Sequence, residues 1–237
     1  MEAELKNILF LDIETVAGTS EYQQMSERLQ AQWDKKANFL RSDDEQTSEE
    51  LFEQKAGIFA EFGKIVVIGL GFFTFTEDKP QLRVKSLYNH DEKALLADFK
   101  GTVEKFDQGT LRLCGHNAKE FDFPYICRRM LINGIQLPPV LDIGGKKPWQ
   151  VNHIDTMDMW KFGDYKNFTS LDLLATIFDV PSSKSDIDGS QVNEVYYKEN
   201  NLEKIAEYCS RDVAVTAQVY MKLKGYSNID NNNIIYT

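Results

Sequence analysis

Apolar positions along the chain alternate between strand-like runs and helical spacing. Residues 7–15 and 63–75 are apolar runs typical of buried strands, and 82–88 alternates like the hairpin partner of the second run. Over 91–106 apolar side chains recur every three or four residues, which predicts a helix. The same criteria predict a strand over 111–115 and helices over 123–133, 171–178 and 202–224.

Three stretches interrupt this alternation. Residues 20–60 are polar and helix-forming, 137–150 is rich in Pro and Gly and predicted to be irregular, and 227–237 is predicted to be a polar, mobile tail. A solvated turn at 41–45 divides the first stretch. Because no repeat or linker is evident, we predict one domain over 1–226, in which a mixed α/β sheet packs against helices and 20–60 is a helical insert.

The composition is that of a globular protein, with 42% hydrophobic and 27% charged residues. No apolar run approaches the roughly 18–20 residues that a membrane span requires, and the charged N-terminus is unlike a signal peptide. The three cysteines lie far apart without a CxxC pair, which argues against a disulfide framework and a zinc site. We therefore predict a cytoplasmic protein.

The net charge of −10 argues against a tight binder of duplex nucleic acid, because such proteins usually carry a basic surface. A site that collects divalent cations, however, needs an excess of carboxylates, and the bound cations then supply positive charge to a phosphate. The charge is therefore compatible with an enzyme that holds a few nucleotides at a strand end.

Asp12 and Glu14 close the first apolar run and lie two residues apart. Alternate residues of a strand point to the same face, so both carboxylates face one side of the sheet. They repel each other unless a cation or a proton lies between them. The pair indicates either a metal site or the solvent face of an edge strand, and the apolar run before it favours a central strand.

Two further carboxylates belong to predicted helices. Asp122 precedes an apolar helix, where it can be an N-cap, with Pro124 in the first turn, a site residue, or both. Asp212 lies four residues after Tyr208, so the two share one helix face. Because Asp is unfavourable inside a helix, Asp212 indicates a functional role, unless it is a surface Asp beside a core Tyr or forms a local pair with Arg211.

Together the three fragments resemble, in order, the motifs of the DEDDy-type 3′–5′ exonucleases. The motifs Asp-x-Glu, Asn-x-x-x-Phe-Asp and Tyr-x-x-x-Asp are matched by Asp12 and Glu14, by Asn117, Phe121 and Asp122, and by Tyr208 and Asp212. More closely, the chain resembles the predicted exonucleases related to the exonuclease domain of family B DNA polymerases, over most of 7–222, with 170–175 and 184–189 included. The histidine branch of this superfamily has a His five residues before the last Asp, where this chain has Glu207. The tyrosine subtype therefore matches better.

This resemblance implies an RNase H-like fold, a mixed five-stranded β-sheet flanked by α-helices, and phosphodiester hydrolysis with two metal ions per site. Oxygen ligands without a dedicated His or Cys imply Mg²⁺ or Mn²⁺. By resemblance Asp12 binds both ions, Glu14 and Asp212 complete the ion that holds the attacking water, and Asp122 supports the other through waters. Tyr208 orients the water, because an unperturbed pKa of about 10 makes it a poor base.

The substrate implied by the resemblance is the 3′ end of single-stranded DNA or RNA, with DNA favoured. Asn117 is a candidate hydrogen-bonding contact to the terminal nucleotide, Phe121 a candidate stacking surface and Lys184 a candidate phosphate contact. One of Phe121 and Phe123 is expected to belong to the core, and His116 is expected to be structural.

Two alternatives stay open at this point. A protein with this fold and an acidic surface can act as a non-catalytic module that binds nucleic acid. The insert at 20–60 can instead dock a protein partner, such as a helicase or polymerase, onto an active or inactive nuclease. Contacts to the 2′ position decide between DNA and RNA, and no residue in the sequence identifies them.

Overall fold

The structure is a computed structural model that describes residues 1–41, 46–77, 79–164, 166, 168–181 and 187–237. The strands within these residues are β1 (Ile8–Ala17), β2 (Gly63–Thr76), β3 (Lys79–Tyr88), β4 (Arg112–Gly115), β5 (Ile154–Asp155) and β6 (Ile234–Tyr236). The helices are α1 (Glu2–Leu5), α2 (Glu27–Leu40), α3 (Ser48–Lys55), α4 (Glu92–Val103), α5 (Asp122–Ile132), α6 (Thr156–Lys161), α7 (Leu171–Ile177), α8 (Val192–Tyr197) and α9 (Leu202–Leu223).

The strands form one mixed sheet in the order β5-β4-β1-β2-β3-β6. β1, β2 and β3 are antiparallel neighbours, whereas β4 runs parallel to β1 and β5 runs parallel to β4. β1 is therefore a central strand, as its apolar run predicts, and Asp12 and Glu14 do not lie on an exposed edge strand. The predicted α/β fold with helices flanking a mixed sheet is confirmed, with six strands rather than the five that the resemblance implies.

The sixth strand comes from the C-terminal segment. Ile234, Ile235 and Tyr236 pair in parallel with residues 82–84 of β3. The prediction of a mobile tail over 227–237 is therefore wrong for this stretch. Its apolar triplet follows a run of Asn and is too short to show strand periodicity, so only the free edge of β3 reveals its role.

Side chains of β1 alternate between two layers of helices. Leu9 and Leu11 pack in a core with residues of α4 and α5 on one face of the sheet. Phe10 packs against α9 on the opposite face. Asp12 and Glu14 continue the series of even-numbered positions, so their side chains face α9.

The insert predicted to be helical over 20–60 contains α2 and α3, with short 3₁₀ turns at either end. Buried Trp33 organises a small cluster, in which its ring contacts Phe52 edge to face at a centroid distance of 5.4 Å. Ala17 at the end of β1 belongs to the same cluster. The insert therefore packs just beyond the carboxylate pair of β1. Most of the turn predicted at 41–45 lies outside the described residues.

Short elements depart most from the sequence-based expectation. β5, α6 and α8 contain two to six residues each and are not predicted by periodicity. The irregular stretch predicted over 137–150 holds two 3₁₀ turns. No helix in the described part of the chain has the length and apolar character that crossing a membrane requires.

Candidate active site

The carboxylates of Asp12 and Glu14 meet on the α9 face of β1. One ligand atom each from Asp12, Glu14 and Cys209 lies within 4.8 Å of the other two. Glu14 is buried, with 7% of its surface exposed, and a β-bulge follows it between Glu14 and Thr15. Strand alternation thus brings both carboxylates to one point, as the Asp-x-Glu spacing predicts.

Asp122 reaches the same site from the other helix layer. It is the first residue of α5, and Phe121, not Asp122, occupies the N-cap position. The buried Asp122 carboxylate accepts a hydrogen bond from the backbone N–H of Ile13 at 3.1 Å. Ile13 lies between Asp12 and Glu14, so this bond ties the start of α5 to the carboxylate pair. The alternative interpretation of Asp122 as an N-cap is therefore wrong.

Tyr208 and Asp212 come from α9, one helical turn apart, and the Tyr208 hydroxyl interacts with the Asp212 carboxylate. Arg211 does not form the local pair with Asp212 that the sequence left open. Its guanidinium pairs with Glu207 instead, at 3.3 Å. The Asp212 carboxylate is thus turned toward the other acidic groups of the site.

Burial and mutual repulsion raise the pKa values of this acidic cluster. Burial, followed by the charges of neighbouring carboxylates, raises the pKa of Asp12 and of Glu14 well above its usual range. Burial also raises the pKa of Asp122 to about 7 and that of Asp212 to about 6. These carboxylates therefore hold protons more readily than free carboxylates do, Asp12 and Glu14 most of all, and a bound cation would favour their ionised forms.

The same environment keeps Tyr208 protonated. Burial, then the charges of Glu14 and Asp212, raise the pKa of its hydroxyl above the ordinary value. A phenol in this state donates a hydrogen bond and is a poor general base. Tyr208 is therefore suited to orient a water molecule or a substrate oxygen.

The chain supplies little positive charge to these groups. In the part that the structure describes, none of the ion pairs of Lys or Arg involves Asp12, Glu14, Asp122 or Asp212. A set of buried and half-buried carboxylates without a Lys or Arg partner among the described residues could hold a hard divalent cation, since such cations prefer oxygen ligands. A carboxylate cluster that could hold a metal ion is therefore present, and the thiol of Cys209 lies beside it.

Cys209 is a residue of the site that the sequence analysis missed. Its thiol lies 3.5 Å from both the backbone oxygen and Oδ2 of Asp12. Burial, then the charges of Asp12 and Glu14, raise the pKa of this thiol well above its usual range, so it remains a weak donor toward Asp12. Its position beside Tyr208 in the third motif is the signal that points to it.

Gly69 allows α9 to approach the sheet closely enough to complete the site. It pairs with Asp12 in the β1–β2 ladder. A Cβ atom at Gly69 would lie 2.8 Å from Cγ2 of Val213 and 2.9 Å from Sγ of Cys209. Only glycine fits without a shift of α9, which carries Tyr208. A glycine inside a strand pattern is the sequence signal for such a close approach.

The three candidate substrate contacts differ in their surroundings. Asn117 adopts a left-handed backbone conformation with φ of 60°, and its buried Oδ1 has no hydrogen-bond partner within the described residues. The half-buried ring of Phe121 packs against the core, with its centroid 5.3 Å from that of Tyr125. Phe123 is fully buried, and Lys184 lies outside the described residues.

His116 lies beside Asn117 and has structural partners on both sides of its ring. Nδ1 is 2.9 Å from Oγ1 of Thr156, and Nε2 is 2.9 Å from the carbonyl oxygen of Thr169. Burial lowers the pKa of His116 below its ordinary value, so the neutral ring bridges two segments. This arrangement agrees with the structural role expected of His116.

Comparisons with known proteins support this description of the fold. A family described as predicted 3′–5′ exonuclease related to the exonuclease domain of PolB matches residues 59–233, which include the second and third motifs but not Asp12 and Glu14. The structure is similar to that of the family B DNA polymerase from the hyperthermophilic archaeon Pyrobaculum calidifontis, with a TM-score of 0.56 and 19% sequence identity.

That likeness covers 92% of this chain but only 24% of the polymerase chain. At 19% identity it shows a similar fold and no more. A search of curated proteins found no match. Since the family match spans most of the chain, the chain belongs to the family of predicted 3′–5′ exonucleases related to the exonuclease domain of PolB.

Proposed function

We propose that this chain is a metal-dependent exonuclease that hydrolyses phosphodiester bonds at the 3′ end of single-stranded nucleic acid, with DNA preferred. The observation that carries this proposal is the cluster of Asp12, Glu14, Asp122 and Asp212. These carboxylates are brought together from one strand and two helices and have no Lys or Arg ion pair within the described residues. Such a cluster needs cations from outside the chain.

The four carboxylates would hold two Mg²⁺ or Mn²⁺ ions. In this assignment Asp12, Glu14 and Asp212 would hold the ion that carries the attacking water, and Asp122 together with Asp12 would support the other. When bound, the ions supply a Lewis acid for the phosphate, an activated water and stabilisation of the leaving oxygen. The hydrogen bond from the N–H of Ile13 to the Asp122 carboxylate would keep Asp122 in place beside Asp12 and Glu14.

Tyr208 would orient the attacking water. Its raised pKa keeps the hydroxyl protonated, and its contact with Asp212 directs it toward the carboxylates. Orientation of a water in this way lowers the entropic part of the barrier. The residue therefore contributes to rate without being indispensable for metal binding.

Substrate binding would involve few nucleotides. Asn117 offers a buried Oδ1 near the start of α5 that has no hydrogen-bond partner in the described part of the chain, which supports a contact to the terminal nucleotide. Phe121 contributes only a half-buried ring for stacking, and Lys184 is retained as a phosphate contact from the sequence alone. The net charge of −10 favours a short contact at a strand end over a long electrostatic track.

The deciding experiment is degradation of a 5′-labelled single-stranded DNA and of the matching RNA with Mg²⁺, with Mn²⁺ and with EDTA. The Asp12→Ala protein is the control for a contaminating nuclease. We expect a ladder that shortens from the 3′ end only with metal, is lost in Asp12→Ala, and is faster on DNA.

Each arm of this experiment bears on a different part of the proposal. An Asp12→Ala protein with wild-type activity would contradict the site assignment. A folded protein that binds Mn²⁺ but cleaves neither strand would favour the non-catalytic binding module. Equal or faster cleavage of RNA would overturn only the sugar preference.

A further inference from the structure

Another buried carboxylate, that of Asp155, lies at the end of β5 and is not part of the acidic cluster. Only 2% of its surface is exposed. Its Oδ1 accepts hydrogen bonds from the backbone N–H groups of Met157 at 3.0 Å and Asp158 at 3.3 Å. These two bonds cap α6, which is an ordinary role for Asp at this position.

Two more bonds of Asp155 go beyond its own helix. Oδ1 also accepts from the backbone N–H of Asn117 at 2.9 Å, and Oδ2 accepts from that of Lys119 at 3.0 Å. Both donors belong to the loop over 116–121, nearly forty residues earlier in the chain. A single carboxylate thus joins the start of α6 to the loop that leads into α5.

This loop has little freedom to adopt another shape. Asn117 holds a φ of 60°, which is unfavourable for a residue with a side chain. A Cβ atom at Gly115 would lie 2.5 Å from Cβ of Ala118, so the chain turns tightly there. Thr156 adds a bond from its hydroxyl to the carbonyl oxygen of Gly115 at 3.3 Å. These contacts hold Asn117 in its left-handed conformation.

The loop ends at the site. Asp122 follows it directly, and Asp122 in turn bonds the N–H of Ile13 between Asp12 and Glu14. A continuous chain of hydrogen bonds and backbone therefore runs from Asp155 through the loop to the metal-binding carboxylates. Groups that orient metal ligands in this way affect metal affinity although they never touch the ion.

We propose that Asp155 is a positioning residue that fixes the loop over 116–121 and thereby places Asp122 for metal binding. This inference rests on the proposed function, because it assigns Asp122 to the metal site. The role differs from simple capping of α6, since it requires the bonds to Asn117 and Lys119.

The test separates the two roles by substitution. Asp155→Ser keeps a preferred N-cap for α6 but is too short to bond both loop amides. Asp155→Asn keeps one acceptor oxygen, so it can accept from only one of the two loop amides, Asn117 or Lys119. Asp91→Ser is the matched control, because Asp91 caps α4 through Lys93 and Ala94, at 2.9 Å and 3.2 Å, away from the site.

The measurement is the affinity for Mn²⁺, followed by the electron paramagnetic resonance signal of the free ion, without nucleic acid. We expect a loss of about tenfold in Asp155→Ser, a smaller loss of about threefold in Asp155→Asn and wild-type affinity in Asp91→Ser. Activity on single-stranded DNA should follow the same order, mainly through kcat.

Wild-type Mn²⁺ affinity in a folded Asp155→Ser protein would overturn the inference. If Asp155→Ser does not fold, unchanged affinity in Asp155→Asn overturns it and a loss supports it. An equal loss in Asp91→Ser would also contradict it, because any lost cap would then suffice. A wild-type protein that binds no Mn²⁺ would instead reject the proposed function, so the two failures are distinguishable.

Discussion

The carboxylate of Glu92 and the carboxylate pair of Asp12 and Glu14 lie on opposite faces of the strands β1 and β2, and their partners differ. On the α4 face, Glu92 accepts hydrogen bonds from the N–H of Ile65 at 2.7 Å and from Nδ2 of Asn133 at 2.9 Å, and it forms a buried ion pair with Arg129. On the α9 face, Asp12 and Glu14 have each other and the Cys209 thiol.

The difference shows how a folded chain marks a site for a ligand. Glu92 is complete within the protein, since a cation and polar donors compensate its burial. The carboxylates near Asp12 have no ion pair with Lys or Arg among the described residues, and in the proposed function a cation from outside the chain completes them. Burial alone therefore does not distinguish a structural carboxylate from a functional one, whereas the partners of its oxygens do.

The largest effect is expected when one carboxylate on each face of the sheet is replaced by its amide. Asp12→Asn removes a charge that the ions require, so exonuclease activity should fall at least about a hundredfold, beyond the loss typical of outer residues of a metal site. Glu92→Gln is the matched control. It should lower the stability of the protein but leave kcat unchanged at a temperature where the protein is folded. Comparable losses of kcat in both variants would remove the distinction.

Removing the ion-pair partner of Glu92 should lower the stability of the protein without affecting the acidic cluster. Arg129→Met leaves the Glu92 carboxylate buried and unpaired, which should reduce the free energy of unfolding by about 3–5 kcal/mol in urea titrations. Lys198→Met is the control, because it removes an exposed pair with Glu194 worth about 1 kcal/mol or less. A fall in Mn²⁺ affinity of Arg129→Met would show that the two faces are coupled.

Removing the charge of one carboxylate of the acidic cluster, Asp122, should stabilise the protein when metal is absent. The pKa of Asp122 is raised to about 7 in the folded state. The stability that its proton provides is therefore fully present below the pKa that Asp122 has in the unfolded chain, and it is lost as the pH rises through about 7. In EDTA at pH 8, Asp122→Asn should therefore be more stable by on the order of 2 kcal/mol.

Thermal or urea unfolding with saturating Mn²⁺ completes that test. The wild-type protein should gain stability from the ion, because only its folded state binds it, and Asp122→Asn should gain less. An Asp122→Asn protein that is less stable than wild type in EDTA at pH 8 would contradict the raised pKa.

The smallest effect is expected for Tyr208→Phe. Because the hydroxyl orients water and binds no ion in this assignment, kcat should fall by about tenfold while Mn²⁺ affinity stays unchanged. Tyr220→Phe on the same helix loses a hydroxyl that donates to Glu4 at 2.8 Å and should leave kcat unaffected. Complete loss of activity in Tyr208→Phe would assign it a larger chemical role.

Much of the fold follows from local pattern. The strands β1 to β4 and the helices α4, α5 and α9 lie close to their predicted ranges, because each is long enough to show a periodicity. β5, α6 and β6 have two to six residues and gain their stability from neighbours in the sheet and core. Asp155, which joins β5 to the loop over 116–121, was missed for that reason.

The sequence by itself determined which side chains share a face, Asp12 with Glu14 and Tyr208 with Asp212, because backbone geometry sets this within one element. It also determined the acidic chemistry of the motifs. Only the tertiary structure decided that Asp122 reaches Ile13, 109 residues away, and that Gly69 admits α9 against the sheet. Such contacts depend on how elements pack, and packing is set by the whole core rather than by any local pattern.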